Sequence, residues 1–207
     1  MPDVIEKVTA SITRPAPDGP YLLLFEHPNA GIQIPAGTVE VGETPEAAAA
    51  REAAEETGLT ALALRRVLGT TTDMLPDRER VTSETTPAYA RPDPSSFAWV
   101  TLRRGVTVNV EREVLGFTQV TYLEYDRLDD PQYITYQITG RVPAERLANM
   151  RICHFIQFEY HGTQIAPWWI ETDNHRFRLF WALLNELPAI VHPQDEWLEM
   201  LIRHGDL

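Results

Sequence analysis

Glu52, Glu55 and Glu56 stand at i, i+3 and i+4 in the string REAAEETG. On a helix turning about 100° per residue, these carboxylates project from one face. Thr44 is a good N-cap, Pro45 suits the first helical position and Gly58 suits the residue past the end, so the spacing predicts a helix between them. The arrangement is locally unfavourable. Glu52 and Glu56 repel as an i,i+4 pair by roughly 0.2–0.5 kcal/mol, and all three glutamates crowd the negative end of the helix dipole. A divalent cation would remove both penalties, because Mg²⁺ typically binds through one or two carboxylates, water and substrate phosphate. The alternative is an acidic face that is simply solvated, since glutamate is a strong helix former.

The flanking residues favour the cation. The pattern G-x5-E-x7-R-E-U-x-E-E-x-G-U, with U aliphatic, is met by Gly37, Glu43, Arg51, Glu52, Ala53, Glu55, Glu56, Gly58 and Leu59. In these residues the chain resembles the Nudix hydrolases, and the stretch IQIPAG leading into the pattern supports the likeness. The resemblance implies an α/β fold, a Nudix α/β/α sandwich with a mixed β-sheet. It also implies hydrolysis of a diphosphate linkage in a nucleoside diphosphate derivative, with a nucleotide sugar or ADP-ribose as the first candidates, and Mg²⁺ or Mn²⁺ as cofactor. A non-catalytic nucleotide-binding module of the same family is the alternative, although such modules usually lose the glutamates retained here.

The same resemblance assigns roles residue by residue. Glu52, Glu55 and Glu56 become metal ligands, with one of the three open to the part of general base, and Gly37 offers its backbone carbonyl. Glu43 meets metal-bound water or pairs with Arg51. Arg51 orients Glu43 or a ligand, or forms a plain i,i+4 pair with Glu55. Ala53 departs from the larger aliphatic residue often found at its position. Trp168 and Trp169 could stack a base, and Glu171 and Asp173 are candidate bases or substrate contacts. Core packing for the tryptophans and helix capping for Asp173 are the competing readings. Pro76 lies near the proline that ADP-ribose-cleaving members carry past the pattern, in a stretch rich in proline.

The elements that must position these groups are mostly strands. Residues 7–12, 21–26, 59–72 and 152–160 read as strands, with Val67 and Leu68 inside and Arg65 and Arg66 outside. Residues 75–94 read as a long loop. Residues 97–110, 114–125 and 133–142 are β-rich, which makes residues 1–207 a single domain with a β-rich insertion at about 76–149. Apolar residues at Phe177, Phe180, Trp181 and Leu184 have helical spacing, so residues 175–186 are expected to be a helix, with another at residues 195–203. Ala47, Ala50 and Ala54 are expected to bring the glutamate helix close to a sheet.

Composition narrows the partners. The chain of 207 residues is 43% apolar and carries a net charge of -12, which argues against a large nucleic-acid or anionic-lipid surface. It has a single cysteine, Cys153, and a single lysine, Lys7. No internal disulfide can form, so a cytoplasmic protein is expected. No apolar run approaches the roughly 20 residues needed to cross a bilayer. The expected partners are a small-molecule nucleoside diphosphate derivative and, since many of the Nudix hydrolases are dimers, a second copy in a homodimer.

Overall fold

The computed structural model describes residues 4–126, 132–172 and 175–203. The chain begins with β1 (Val4–Arg14), β2 (Tyr21–His27), β3 (Gly31–Gln33) and β4 (Ala36–Thr38), then α1 (Pro45–Thr57) and β5 (Leu62–Met74). Six shorter or exposed strands follow: β6 (Glu79–Thr82), β7 (Thr86–Tyr89), β8 (Ala98–Leu102), β9 (Thr107–Val114), β10 (Phe117–Tyr125) and β11 (Ile134–Pro143). The chain continues through β12 (Leu147–Ala148), β13 (Met150–Tyr160), β14 (Trp168–Thr172), β15 (His175–Leu183) and α2 (Gln194–Arg203). This is a mixed α/β protein made mostly of strands. Among the described residues, no helix is long and apolar enough to cross a membrane.

Two compact units result, one of Met1–Glu6 with Thr72–Ile152 and the other of Lys7–Thr71 with Cys153–Leu207. The second unit holds the glutamate helix. Its sheet runs β14-β15-β2-β1-β13-β5, with β3 paired to β2 and β4 to β1. Both faces of this sheet are covered. Leu23 and Phe25 of β2 join Ala48, Ala49 and Ala53 of α1 on one face. Leu22 and Leu24 join Leu198 and Leu201 of α2 on the other. Successive residues of one strand thus enter two different cores, as the period of two requires. The result is an α/β/α sandwich.

That double burial explains the one wrong helix. Residues 175–186 are not helical: β15 lies between β14 and β2. Phe177 and Leu179 are buried on the α1 face, with Trp181 packed against them. Ala182 and Leu184 are buried on the α2 face, with Phe180 against them. A strand buried on both sides is apolar at nearly every position, and such a run can imitate helical spacing. β5 shows the opposite case. It is an edge strand, and only Leu68 is buried, whereas Val67 is 51% exposed, contrary to expectation.

The first unit carries a sheet in the order β12-β6-β9-β10-β11-β7-β8. Val108, Val120 and Val142 form its main core with Ala88, Leu102 and Leu147. The expected loop at 75–94 contains β6 and β7, strands of four residues each. Runs so short, bounded by Pro76, Asp77 and Ser83, give no alternation long enough to be distinguished from a loop. Likewise the expected run at 97–110 is broken between β8 and β9, where Gly105 adopts a φ of 84°.

α1 rests on the sheet through alanines other than those expected. Ala48, Ala49 and Ala53 are each 0% exposed, while Ala47 and Ala50 face solvent. Ala53 is small because the sheet lies directly beneath it. Ala53→Leu is expected to destabilise the protein by about 1–3 kcal/mol through overpacking. Ala50→Leu should change stability by less than about 0.5 kcal/mol. Urea unfolding midpoints of the two variants check the orientation of the helix.

Candidate active site

The helix begins and ends as its residues dictate. Thr44 Oγ1 accepts from Ala47 N–H at 3.3 Å. Gly58 closes the helix in the left-handed region with a φ of 71°, its N–H donating to Ala54 O at 2.8 Å. A residue with a side chain is strained in that conformation, and glycine is not. Between the caps, α1 presents Arg51, Glu52, Glu55 and Glu56, with Glu52 and Glu56 turned toward β4.

Arg51 is the hub of this face. Its Nε and Nη2 donate to Glu43 Oε1 and Oε2 at 3.1 and 3.0 Å, a bidentate pair. Nη1 reaches Glu52 Oε1 at 2.8 Å and Glu55 Oε2 at 3.3 Å. Nη2 also donates to the Thr38 carbonyl at 3.0 Å. One guanidinium therefore ties α1 to the loop before it and to β4. The planar fork of arginine allows this, and the point charge of lysine would not. Glu43, with Arg51 donating to it, is held below the usual carboxylate range. Burial pushes Glu52 above its ordinary value, against the pull of Arg51. The same carboxylates, Glu43 foremost, raise Arg51 further, so it is always charged.

β4 supplies the other wall. The Thr38 N–H donates to Glu52 Oε1 at 3.2 Å, and the Ala36 N–H donates to Glu56 Oε2 at 3.0 Å. Between these two amides, Gly37 has no side chain, and a Cβ there would collide with the Glu52 carboxyl group. The glycine is needed for this close approach rather than for an unusual φ. Lys7, opposite Thr38 in the β1–β4 ladder, donates from Nζ to Thr38 Oγ1 at 2.7 Å. The chain's one lysine thus holds the strand residue whose N–H and carbonyl meet Glu52 and Arg51.

Glu52, Glu55, Glu56, Arg51, Glu43 and Gly37 are therefore brought together. The carboxylates are spread rather than converged: Glu52 is 15% exposed and turned to Thr38 and Arg51, while Glu55 is 57% exposed. Among the described residues no three His, Cys, Asp or Glu side chains are close enough to hold a metal ion. The donor set nonetheless suits a hard divalent cation. It offers three carboxylates on one helix face, beside a cradle that any Cβ would fill.

The remaining candidates lie further along. Trp168 is half-buried, and its Nε1–H donates to Thr57 O at 2.9 Å, just past Glu56. Trp169 is 54% exposed, with the Arg176 guanidinium 4.6 Å from its ring centroid. Both line a cavity of about 390 Å³ at the end of α1, with Tyr160, Gln164 and Ile170. Glu171 is exposed on β14, opposite Arg176, and no hydrogen bond or ion pair among the described residues joins it to the α1 glutamates. Asp173 lies outside the described residues.

A capped helix carrying clustered glutamates thus lies against a glycine-containing strand on one face of an α/β/α sandwich. The family model of the NUDIX domain matches residues 7–137, and the chain belongs to the Nudix family. Among solved structures, it is similar to a Nudix hydrolase from M. smegmatis, RenU, at 15% identity and a TM-score of 0.45. That match covers 100% of this chain and 91% of that one. It is also similar to the Ap4A hydrolase of C. elegans, at 12% identity and a TM-score of 0.38, covering 95% of this chain and 86% of that one. No curated protein matches the chain.

The Glu43–Arg51 pair makes stability depend on pH. A carboxylate with a depressed folded pKa stabilises the fold above its unfolded value of about 4.3, and the contribution disappears as pH falls through the folded value. Wild type is expected to exceed Glu43→Gln in urea resistance at pH 7, with the gap closing as pH falls below about 4. A gap that stayed constant to pH 3 would show that the pair does not carry it.

Proposed function

We propose that the protein is a Mg²⁺-dependent pyrophosphohydrolase that cleaves the diphosphate linkage of a nucleoside diphosphate derivative, with nucleotide sugars and ADP-ribose as first candidates. The observation that carries this reading is the Gly37–Glu52 approach. A helix carboxylate is seated against a strand backbone with no room for a side chain, and two more glutamates flank it on the same face. Packing alone gives no reason to bury Glu52 there, since burial raises its pKa and disfavours its charge.

Glu52, Glu55, Glu56 and the Gly37 carbonyl would hold the divalent ions. When bound, such ions polarise phosphoryl oxygens and lower the pKa of a water molecule. The chain's own residues set the stage for that chemistry. Arg51 holds Glu43, Glu52 and Glu55 in place through four side-chain hydrogen bonds, with a fifth to the Thr38 carbonyl. The β4 amides of Ala36 and Thr38 donate to Glu56 and Glu52 and so offset part of the negative charge of the glutamate face.

Glu56→Gln tests the reading. Its carboxylate oxygen bonded to Ala36 N–H has an isosteric amide substitute, so the fold should persist, with circular dichroism unchanged. Turnover in a phosphate-release assay over nucleotide sugars, ADP-ribose and dinucleoside polyphosphates should fall by about 10²-fold or more, the scale of losing a few kcal/mol of transition-state stabilisation. Near-wild-type turnover by the variant would remove Glu56 from the site. Failure of the wild type to turn over any of these compounds, with Mn²⁺ shown to bind, would favour a non-catalytic nucleotide-binding module.

A further inference from the structure

At the end of β1, the Arg14 guanidinium carbon lies 4.3 Å from the centroid of the Tyr21 ring and 5.2 Å from that of Trp181. Two electron-rich ring faces fix one planar cation. The strand register produces the arrangement: Arg14 is opposite Tyr21 in the β1–β2 ladder, and Trp181 is opposite Leu23 in the β2–β15 ladder. The Arg14 Nε–H is buried and has no acceptor. Among the described residues, no hydrogen bond or ion pair engages its Nη nitrogens. Native structures leave few buried donors in this condition. The neighbouring carboxylate, Asp18, accepts instead from the Tyr21 hydroxyl at 2.6 Å.

Arg14 lines a cavity of about 360 Å³, shared with Thr13, Arg65, Gln157 and the turn between β1 and β2. Its polar wall is rigidly made. Gln157 is 1% exposed, accepts from Arg66 Nε–H at 2.9 Å and donates from Nε2 to Thr13 Oγ1 at 3.0 Å. Pro15, Pro17 and Pro20 give the cavity an apolar rim of low conformational entropy. No acidic side chain lines it, although Glu159 engages Arg65 from outside at 3.0 Å. In a chain of net charge -12, a cavity lined by two arginines and no carboxylate is an electrostatic exception.

We propose that this cavity is a second ligand site, which takes a small organic molecule through an oxyanion head group paired with Arg14 and Arg65. Its volume exceeds the needs of a bare inorganic ion and falls within the roughly 300–1,000 Å³ usual for small-molecule sites. The site is separate from the glutamate helix. Arg14 lies six residues along β1 from Val8, the residue opposite Gly37, a span of roughly 20 Å at about 3.3 Å per residue.

The test uses the whole, metal-free protein and follows arginine Nε–H signals in ¹H–¹⁵N spectra. Ribose 5-phosphate, citrate, inorganic phosphate and neutral ribose are the probes. A saturable shift of the Arg14 signal with ribose 5-phosphate or with citrate is expected, and the arm that responds names the head group as phosphate or carboxylate. Ribose should give none. By calorimetry, Arg14→Gln and, independently, Arg65→Gln should each weaken binding by about tenfold or more, while Glu56→Gln should leave it unchanged. The proposal is overturned if no probe saturates, if both arginine variants bind as wild type does, or if Glu56→Gln abolishes binding. Equal affinity for inorganic phosphate and ribose 5-phosphate would overturn the assignment of an organic ligand.

Discussion

A single guanidinium organises the candidate site. Arg51 meets Glu43, Glu52, Glu55 and the Thr38 carbonyl at once, so the entry loop of α1, the helix and β4 cannot move independently. Three glutamates on one turn would otherwise repel one another and the helix terminus. Arg51 offsets part of that repulsion without leaving the surface, and it holds Glu52 where the backbone of β4 has room only for glycine. Charge, helix phase and backbone access at Gly37 are therefore one constraint seen from three sides.

The sandwich serves that constraint. Because α1 buries small side chains, those of Ala48, Ala49, Ala53 and Thr57, it lies close enough to the sheet for the glutamate side chains to reach the amides of β4. Larger residues would lift the helix and break those contacts. On the opposite face, α2 and Phe155 seal the same strands from below, with Trp197 in edge contact with Phe155 at 5.6 Å. The sheet is thus fixed on both sides, and rigid strands are what a site of a few ångströms requires. The apolar identity of residues 177–184 belongs to this double burial and not to a helix.

Polar groups inside the second unit follow one rule, that buried donors and acceptors are paired. Gln157 is held at both ends, Trp168 and Trp181 each find a carbonyl, and Gln194 accepts from Ile34 N–H at 2.7 Å. Against that background Arg14 stands out, since its guanidinium is clamped by two ring faces and its buried Nε–H has no acceptor. The carboxylate hub and the aromatic clamp use arginine in contrasting ways, one saturated with acceptors and the other left open.

The sequence by itself determined the local features. Thr44, Pro45 and Gly58 set the ends of α1, the i, i+3, i+4 spacing set which glutamates share a face, and the pattern from Gly37 to Leu59 pointed to the family. These depend on caps and periodicity, which act over a few residues. Tertiary structure decided everything that depends on which faces are covered. It made residues 175–183 a strand, exposed Val67 while burying Leu68, buried Ala48, Ala49 and Ala53 in place of Ala47 and Ala50, and raised β6 and β7 from an expected loop. It also brought Lys7 to Thr38 and stacked Arg14 on Tyr21 and Trp181. Such pairings join residues far apart in the chain, and only strand order and register bring them together.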